Sequence, residues 1–237
     1  MSAFSAKPTR EEISARTMAS DVRERLRADI VNCVLKPGVR LRFEDVKSRY
    51  DVGLSPVREA LFRLVSEGLV VSEDHRGFRV APVSREKLMD ISFMRRELEA
   101  MALKLSIERG DVVWESQVLS SFHQLSAVSS KNDNGSLKPE WERRHKTYHS
   151  ALASACGSEW LLQFREMLGD QWARYRRLCI QYRRNGRDVL NEHREIMEAA
   201  LARDVAAATY LVGRHISRSV QIILDSTAAP FFAEDLE

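Results

Sequence analysis

The sequence predicts a mainly α-helical protein: an N-terminal winged helix-turn-helix with a small β-hairpin wing, followed by a C-terminal all-α helical bundle. Three observations predict this fold class. Two amphipathic segments joined by a tight turn precede two β-branched runs, "LVVSEDHRGFRVAPV", around a polar, Gly-containing connection. No further strand pattern follows Ser84. Instead, six segments with helical periodicity follow, enough for a bundle that buries its own core.

The N-terminal elements begin after a polar segment that lacks periodicity. We expect residues 1–15 to form a disordered arm and residues 16–83 the winged helix-turn-helix. Apolar residues at helical spacing predict a helix from Met18 to Cys33, and "LKPGVRL" breaks it. A short helix over "RFEDVKSRY" and a turn at "DVGL" lead to the second helix, "SPVREALFRLVSEGL". Ser55 is its predicted N-cap, with Pro56 at the first helical position.

Turn signals separate the helices of the C-terminal region. We expect this helical domain at residues 84–227 and a tail at residues 228–237. The breaks fall at Gly110-Asp111, "KNDNGS", Gly157, "NGRD" and Arg203-Asp204. The predicted helices span residues 84–110, 112–130, 139–155, 158–184, 188–202 and 204–225.

The composition is typical of a soluble globular protein, with 44% hydrophobic and 30% charged residues. No apolar run approaches the roughly 18 residues that a membrane span needs, and "MSAFSAKPTREEISART" lacks the apolar core of a secretory signal. Cys33, Cys156 and Cys179 are widely spaced, which favours core thiols in a reducing compartment. We therefore expect a cytoplasmic protein without a membrane partner.

The positive charge is concentrated near the N-terminus. Residues 1–84 hold 15 Lys+Arg against 12 Asp+Glu, whereas residues 85–237 hold 22 of each. This excess favours a polyanionic partner, and the predicted winged helix-turn-helix makes that partner double-stranded DNA.

Three residues of the helix-turn-helix are candidates for DNA contact. Its second helix enters the major groove, and Arg58 lies one turn inside that helix. Arginine pairs bidentately with guanine or holds a phosphate; the alternative is a surface ion pair with Glu59 or a neighbouring residue. Ser55 contacts a phosphate or only caps the helix. Arg49 ends the preceding helix, where it contacts the DNA backbone or nothing.

The predicted wing is basic at its tip. His75, Arg76 and Arg79 flank the turn, and Gly77 allows its tight geometry. Such a tip is suited to a phosphate or minor-groove contact. The alternative is a solvated hairpin without a DNA contact.

His145 and His149 raise a separate question in "WERRHKTYH". Histidines four residues apart lie on the same face of a helix, where they can hold a metal ion or remain solvated. The residues alone leave both possibilities open.

Several motifs together resemble the GntR-type bacterial transcription factors. "SPVREALFRLVSEGLV" and "RGFRV" are similar to their DNA-binding head. "RRELE" from Arg95 resembles the "R..LE" opening of the FCD effector domain that defines the FadR subfamily, and "YHSAL" resembles its "FH..L" motif. "WERRHKTYH", "CGSEWLL" and "ARYRRL" further resemble the carbon-starvation-induced, glutarate-responsive branch of that subfamily.

The resemblance implies a metal site and an effector pocket in the bundle. The family places an Asp-x3-His pair on one helix and two later histidines, which here correspond to His149, His193 and His215. His145 occupies the aspartate position and is the fourth candidate ligand. Loss of a carboxylate favours zinc or nickel over the oxygen-preferring manganese, or removes the metal altogether.

Basic and aromatic residues are candidates for binding the effector itself. Arg95 can bind a carboxylate bidentately, the alternative being a salt bridge with Glu99 on the next turn. Arg174 and Tyr175 are expected to line the same cavity.

The function implied is that of a ligand-responsive, homodimeric repressor. A small carboxylate such as glutarate would release it from a pseudo-palindromic operator. A metal sensor and a metal-dependent hydrolase are the alternatives, and the absence of a general base in any motif disfavours the enzyme.

Overall fold

The computed structural model of the chain describes residues 10–73, 77–130, 138–179 and 187–225, with side chains for all of these except residues 10–17 and 179. The chain divides into two compact units, Met1–Val83 and Ser84–Glu237. His75, Arg76, the loop "KNDNGS", residues 1–9 of the expected arm and the expected tail lie outside the described residues.

The N-terminal unit is a winged helix-turn-helix. Its helices are α1 (Arg10–Val31), α2 (Phe43–Tyr50) and α3 (Leu54–Ser66), and its strands are β1 (Arg40–Leu41), β2 (Val70–Glu73) and β3 (Gly77–Val80). The apolar stripe of α1 packs on α3 because both helices turn fully buried residues inward, among them Val22, Leu26, Val57, Leu61 and Leu64. This core fixes the orientation of α3.

The three strands form one antiparallel sheet in the order β1-β3-β2. β3 pairs with β2 through Val80 and Val70, and with β1 through Phe78 and Leu41. The hairpin of β2 and β3 was predicted, whereas β1 was not. A strand of two residues is too short to show the alternation on which the prediction depends.

Two local predictions in this unit were wrong. α1 begins at Arg10, so residues 10–15 are helical rather than a disordered arm. The segment "REEISA" lacks an apolar stripe but is rich in Arg, Glu and Ala, which have high helix propensity. The N-cap of α3 is Gly53 rather than Ser55, because the helix already includes Leu54.

The C-terminal unit is a bundle. Over the described residues it contains α4 (Arg85–Arg109), α5 (Val112–Ser126), α6 (Pro139–Ala153), α7 (Glu159–Cys179), α8 (Val189–Leu201) and α9 (Val205–Leu224), and no strand. Side chains cap five of these helices: Ser84, Asp111, Ser158, Asp188 and Asp204 each accept a hydrogen bond from the backbone three residues later. The predicted fold class is confirmed.

Within the bundle, α4 packs against α6, α7, α8 and α9, whereas α5 packs against α6 and α8. Within the described ranges, no helix combines the length and apolar composition required to cross a bilayer.

Candidate functional site

Four histidines from three helices converge inside the bundle. His145 and His149 lie one turn apart on α6, His193 lies on α8 and His215 on α9. His149 Nε2 is 3.2 Å from His145 Nε2 and 3.1 Å from His193 Nε2. One nitrogen from each of the four rings lies within 4.8 Å of the other three.

The donor set fits a metal ion. An ion held about 2.1 Å from each imidazole nitrogen separates neighbouring ligand atoms by about 3.4 Å in a tetrahedron. The distances from His149 Nε2 to the rings of His145 and His193 are close to this value. Borderline imidazole donors suit zinc or nickel better than manganese.

Burial keeps these rings neutral. It lowers the pKa of His145, His149 and His193 well below the ordinary value, and the neighbouring imidazoles lower it further. Burial also lowers the pKa of His215, although the adjacent Glu192 acts in the opposite direction. Neutral rings have one nitrogen lone pair available for an ion.

A carboxylate orients His215. Glu192 Oε2 lies 2.8 Å from His215 Nδ1, and Glu192 Oε1 accepts hydrogen bonds from Arg187 Nε at 2.8 Å and Arg218 Nη1 at 3.1 Å. Burial alone would raise the pKa of Glu192, but the bonds from Arg187 and His215 lower it below its usual range. The ionised carboxylate therefore accepts the Nδ1–H of His215, as second-shell carboxylates of metal-binding histidines do.

An arginine takes the corresponding position beside His145. Arg176 Nη1 lies 3.2 Å from His145 Nδ1, and Arg176 Nη2 donates to Glu142 Oε1 at 2.8 Å. The guanidinium also lies over the Trp141 ring, 5.8 Å from its centroid. Burial lowers the pKa of Arg176 to about 10, so this side chain remains a cation near neutral pH.

A small cavity of about 30 Å³ lies beside the cluster, lined by three of its four histidines. That space holds about two water-sized groups. Among the described residues that line it, none is a carboxylate; the polar and aromatic lining consists of Arg95, Arg176, Arg187, His145, His149, His215, Ser219, Trp141 and Trp172. Three guanidinium groups reach the cavity and make it suited to an anion, although each is also paired with a carboxylate outside the lining: Arg95 with Glu99, Arg176 with Glu142 and Arg187 with Glu192.

Arg95 was expected either to bind a carboxylate ligand or to form a salt bridge with Glu99, and its position allows both. It lines the cavity, and its Nη2 lies 3.5 Å from Glu99 Oε1. Glu99 has a closer partner in Arg165, whose Nη2 donates to Glu99 Oε2 at 2.6 Å. The guanidinium of Arg95 lies 5.2 Å from the centroid of the Trp172 ring. The weaker contact with Glu99 leaves Arg95 able to bind a ligand.

Arg174 and Tyr175 do not line the cavity, which corrects the sequence-based expectation. Arg174 is buried and donates to Gln171 Oε1 at 2.9 Å. Tyr175 Oη donates to the backbone oxygen of Ser84 at 3.1 Å. The physical reason is the rotation of α7: Trp172 and Arg176 share the inward face, and each residue is turned about 100° from the next.

The prediction also missed Arg176, Arg187, Trp141 and Glu192. Arg176 lies inside the basic run "ARYRRL", where sequence alone does not assign the inward position. The sequence does contain a signal that could have identified Trp141 and Glu192. Trp141 precedes His145 by one helical turn, and Glu192 is the direct neighbour of His193.

In the N-terminal unit, Arg58 is exposed on α3. Its guanidinium lies 5.7 Å from the centroid of the Phe43 ring. The alternative partner, Glu59, instead accepts a hydrogen bond from Arg63 at 2.6 Å. Ser55 is also exposed, three residues before Arg58 and on the same face of the helix.

Two other candidates are engaged within the fold. Arg49 donates to Asp29 Oδ2 from Nη2 at 2.8 Å and from Nε at 3.1 Å. Arg79 donates to Glu73 Oε1 at 2.8 Å and to the backbone oxygen of Gly38 at 2.7 Å. Both contacts stabilise the unit itself. Gly77 adopts a φ of +89° at the start of β3, which only glycine adopts without strain.

Comparisons with known proteins agree with the two units. Residues 18–80 match the model of the family "Bacterial regulatory proteins, gntR family", and residues 90–218 match the FCD domain. The chain is 41% identical to HTH-type transcriptional regulator BphR of Paraburkholderia xenovorans (strain LB400), over 89% of this chain and 86% of that protein. It is 37% identical to HTH-type transcriptional repressor GlaR of Escherichia coli (strain K12), over 86% of this chain and 94% of that protein.

A solved structure shares the fold. A GntR regulator from Rhodococcus sp. RHA1 superposes with a TM-score of 0.71 and 23% identity, over 88% of this chain and 98% of that one. The family and these relatives are transcriptional regulators, which confirms the expectation that the chain is a regulator and not an enzyme. The protein belongs to the gntR family of DNA-binding bacterial regulators, with an FCD effector domain.

Proposed function

We propose that this protein is a homodimeric repressor that leaves its operator when a small carboxylate binds in the cavity of the bundle. The observation that carries the proposal is the lining of that cavity, which combines three arginines with three histidines and, among the described residues, no carboxylate. A cavity of this composition stabilises an anion.

Arg95 is the proposed carboxylate-binding residue. Its planar guanidinium forms two parallel hydrogen bonds with a carboxylate. Two side chains contact it: Arg95 Nη2 lies 3.5 Å from Glu99 Oε1, and the guanidinium carbon lies 5.2 Å from the centroid of the Trp172 ring. Zinc or nickel held by His149, His193 and His215 would supply a further Lewis-acid contact to the ligand.

Glutarate or a related acid is the proposed ligand class. The cavity of about 30 Å³ admits one carboxylate group, so the remainder of a longer acid requires the lining side chains to move apart. A ligand that binds the opened arrangement better than the closed one shifts the population between them.

The DNA-binding part of the proposal involves α3. Arg58 and Ser55 are exposed on one face of it, and this helix is the one that enters the major groove in helix-turn-helix proteins. His75, Arg76 and Gly77 would add wing contacts. Arg49 and Arg79 are weaker candidates because Asp29 and Glu73 already hold their guanidinium groups.

A second copy of the chain is the proposed partner of α4. Met89, Phe93 and Met101 are exposed there and recur at intervals of four and eight residues, which places them on one face. A dimer would present two α3 helices to the half-sites of a pseudo-palindromic operator.

A titration of DNA binding tests the proposal. Operator DNA would first be selected from a random pool by the protein itself, and its binding then followed by fluorescence anisotropy. We expect glutarate to release the DNA at constant zinc concentration. Release by zinc alone, without an acid, would instead identify a metal sensor and reject the carboxylate repressor.

A further inference from the structure

Two histidines of the cluster differ in the partners of the same ring atom, Nδ1. His215 Nδ1 lies 2.8 Å from Glu192 Oε2, which is an acceptor. Arg187 Nη2 is also 3.3 Å from His215 Nδ1, but its two hydrogens are directed to Glu192 Oε2 and to the backbone oxygen of His215. His145 Nδ1 lies 3.2 Å from Arg176 Nη1, which can only donate. The two contacts require different positions for the single proton of a neutral imidazole.

The position of the proton decides what each ring offers to the cavity. In His215 the proton stays on Nδ1, where the carboxylate accepts it, and Nε2 retains a lone pair. In His145, Nδ1 must keep its lone pair to accept from Arg176, so the proton lies on Nε2. Arg176 cannot rotate away freely, because its other terminal nitrogen donates to Glu142 Oε1 at 2.8 Å and its guanidinium covers Trp141.

The Nε2–H of His145 points into the cluster. His145 Nε2 lies 3.2 Å from His149 Nε2, whose lone pair accepts the hydrogen bond. His149 Nε2 is also 3.1 Å from His193 Nε2. If the lone pair of His149 is used to hold an ion, the N–H of His145 loses its acceptor and needs another one in the same cavity.

We propose that His145 is not a metal ligand but a hydrogen-bond donor that positions the bound anion, with Arg176 setting its tautomer. The three remaining histidines hold the ion, and His145 donates Nε2–H to an oxygen of the carboxylate. This inference deepens the proposed function and rests on it. It also assigns Arg176 as a positioning residue that acts through His145.

The tautomers can be measured in the metal-free protein. Long-range 1H–15N correlation spectra of the protein labelled at histidine distinguish a proton on Nε2 from one on Nδ1. We expect His145 to be protonated on Nε2 and His215 on Nδ1. Arg176→Met should release the constraint on His145, whereas Arg177→Met, which removes another partner of Glu142, should not. A His145 protonated on Nδ1 in the unsubstituted protein overturns the inference.

Binding measurements separate this inference from the proposed function. We expect His145→Ala to change zinc affinity less than about threefold, while His215→Ala lowers it by about 100-fold or more. Glutarate affinity of the zinc-loaded protein should fall about tenfold in His145→Ala and recover in part in His145→Gln, which keeps an N–H donor. Equal loss of zinc affinity in His145→Ala and His215→Ala rejects the donor role alone. Failure of the unsubstituted protein to bind zinc and glutarate rejects both proposals.

Discussion

His149 Nε2 lies 3.1 Å from His193 Nε2, although 44 residues separate the two positions in the sequence. Two neutral imidazoles at this distance either share a proton or direct two lone pairs at one point. The second arrangement becomes favourable when a cation occupies that point, so metal binding should stabilise the folded bundle.

We therefore expect zinc to raise the thermal unfolding temperature of the unsubstituted protein and not that of His193→Ala. At a free concentration 100 times its dissociation constant, zinc would add about 2.7 kcal/mol to the free energy of unfolding. Differential scanning calorimetry with and without a chelator measures the effect. His123→Ala is the matched control, because His123 is exposed on α5 and outside the cluster. An equal zinc response in all three proteins would show that the ion binds elsewhere.

Acid should destabilise the metal-free bundle. Above about pH 6.5 the histidines are neutral in both the folded and the unfolded chain, so they contribute no pH dependence. Below it, the unfolded chain takes up protons, whereas the lowered pKa of each buried ring keeps the folded chain from doing so. The free energy of unfolding should then fall with pH, by up to about 1.4 kcal/mol per pH unit for each such histidine.

Urea denaturation at pH 7.5, 6.5 and 5.5 measures this dependence. The C-terminal unit can be followed alone by tryptophan fluorescence, since it contains all four tryptophans, Trp114, Trp141, Trp160 and Trp172. His193→Gln should reduce the slope below about pH 6.5 and His123→Gln should leave it unchanged. Identical slopes in the two variants would mean that the cluster does not control acid stability.

Arg58 should carry sequence-specific DNA binding. Arg58→Ala removes the one exposed guanidinium proposed to pair with guanine, and we expect operator affinity to fall by about 10- to 150-fold. Arg63→Ala is the matched control on the same helix, because Arg63 is exposed but paired with Glu59 at 2.6 Å. It should change affinity less than about threefold. Electrophoretic mobility shift at fixed salt compares the operator affinities of the two variants. Equal losses of affinity would mean that Arg58 contributes only nonspecific charge.

Dimerisation should depend on the exposed apolar face of α4. Phe93→Glu places a charge between Met89 and Met101, and burying that charge in an interface is costly. We expect analytical ultracentrifugation to find a dimer for the unsubstituted protein and a monomer for Phe93→Glu at micromolar concentration. Val112→Glu, on the exposed first turn of α5, should remain dimeric. A dimer that survives Phe93→Glu would locate the interface elsewhere.

The sequence predicted the helices and the histidine cluster for different reasons. Helices follow from local apolar periodicity, as in the stripe that contains Val22 and Leu26 on α1. The cluster followed from a family resemblance that names positions on three helices. Neither source specifies how α7 is rotated about its axis, so Arg174 was expected in the cavity in place of Arg176.

Local sequence patterns also could not predict features that are very short or that depend on residues far apart in the chain. β1 is two residues long and pairs with Phe78, far along the chain, so its local pattern carries no strand signature. The proton position in His145 depends on Arg176, 31 residues away, which only tertiary structure brings to its ring.

Direct binding of a carboxylate through Arg95 is the central claim. Isothermal titration of glutarate into the zinc-loaded protein measures it, with Arg95→Met and, as the matched control, the exposed neighbour Arg96→Met. Loss of a bidentate charge-assisted pair costs about 1.5–3 kcal/mol, so we expect glutarate affinity to fall by about 10- to 150-fold in Arg95→Met and to stay unchanged in Arg96→Met. Glutarate that binds Arg95→Met as tightly as the unsubstituted protein, or that binds neither, would contradict the claim.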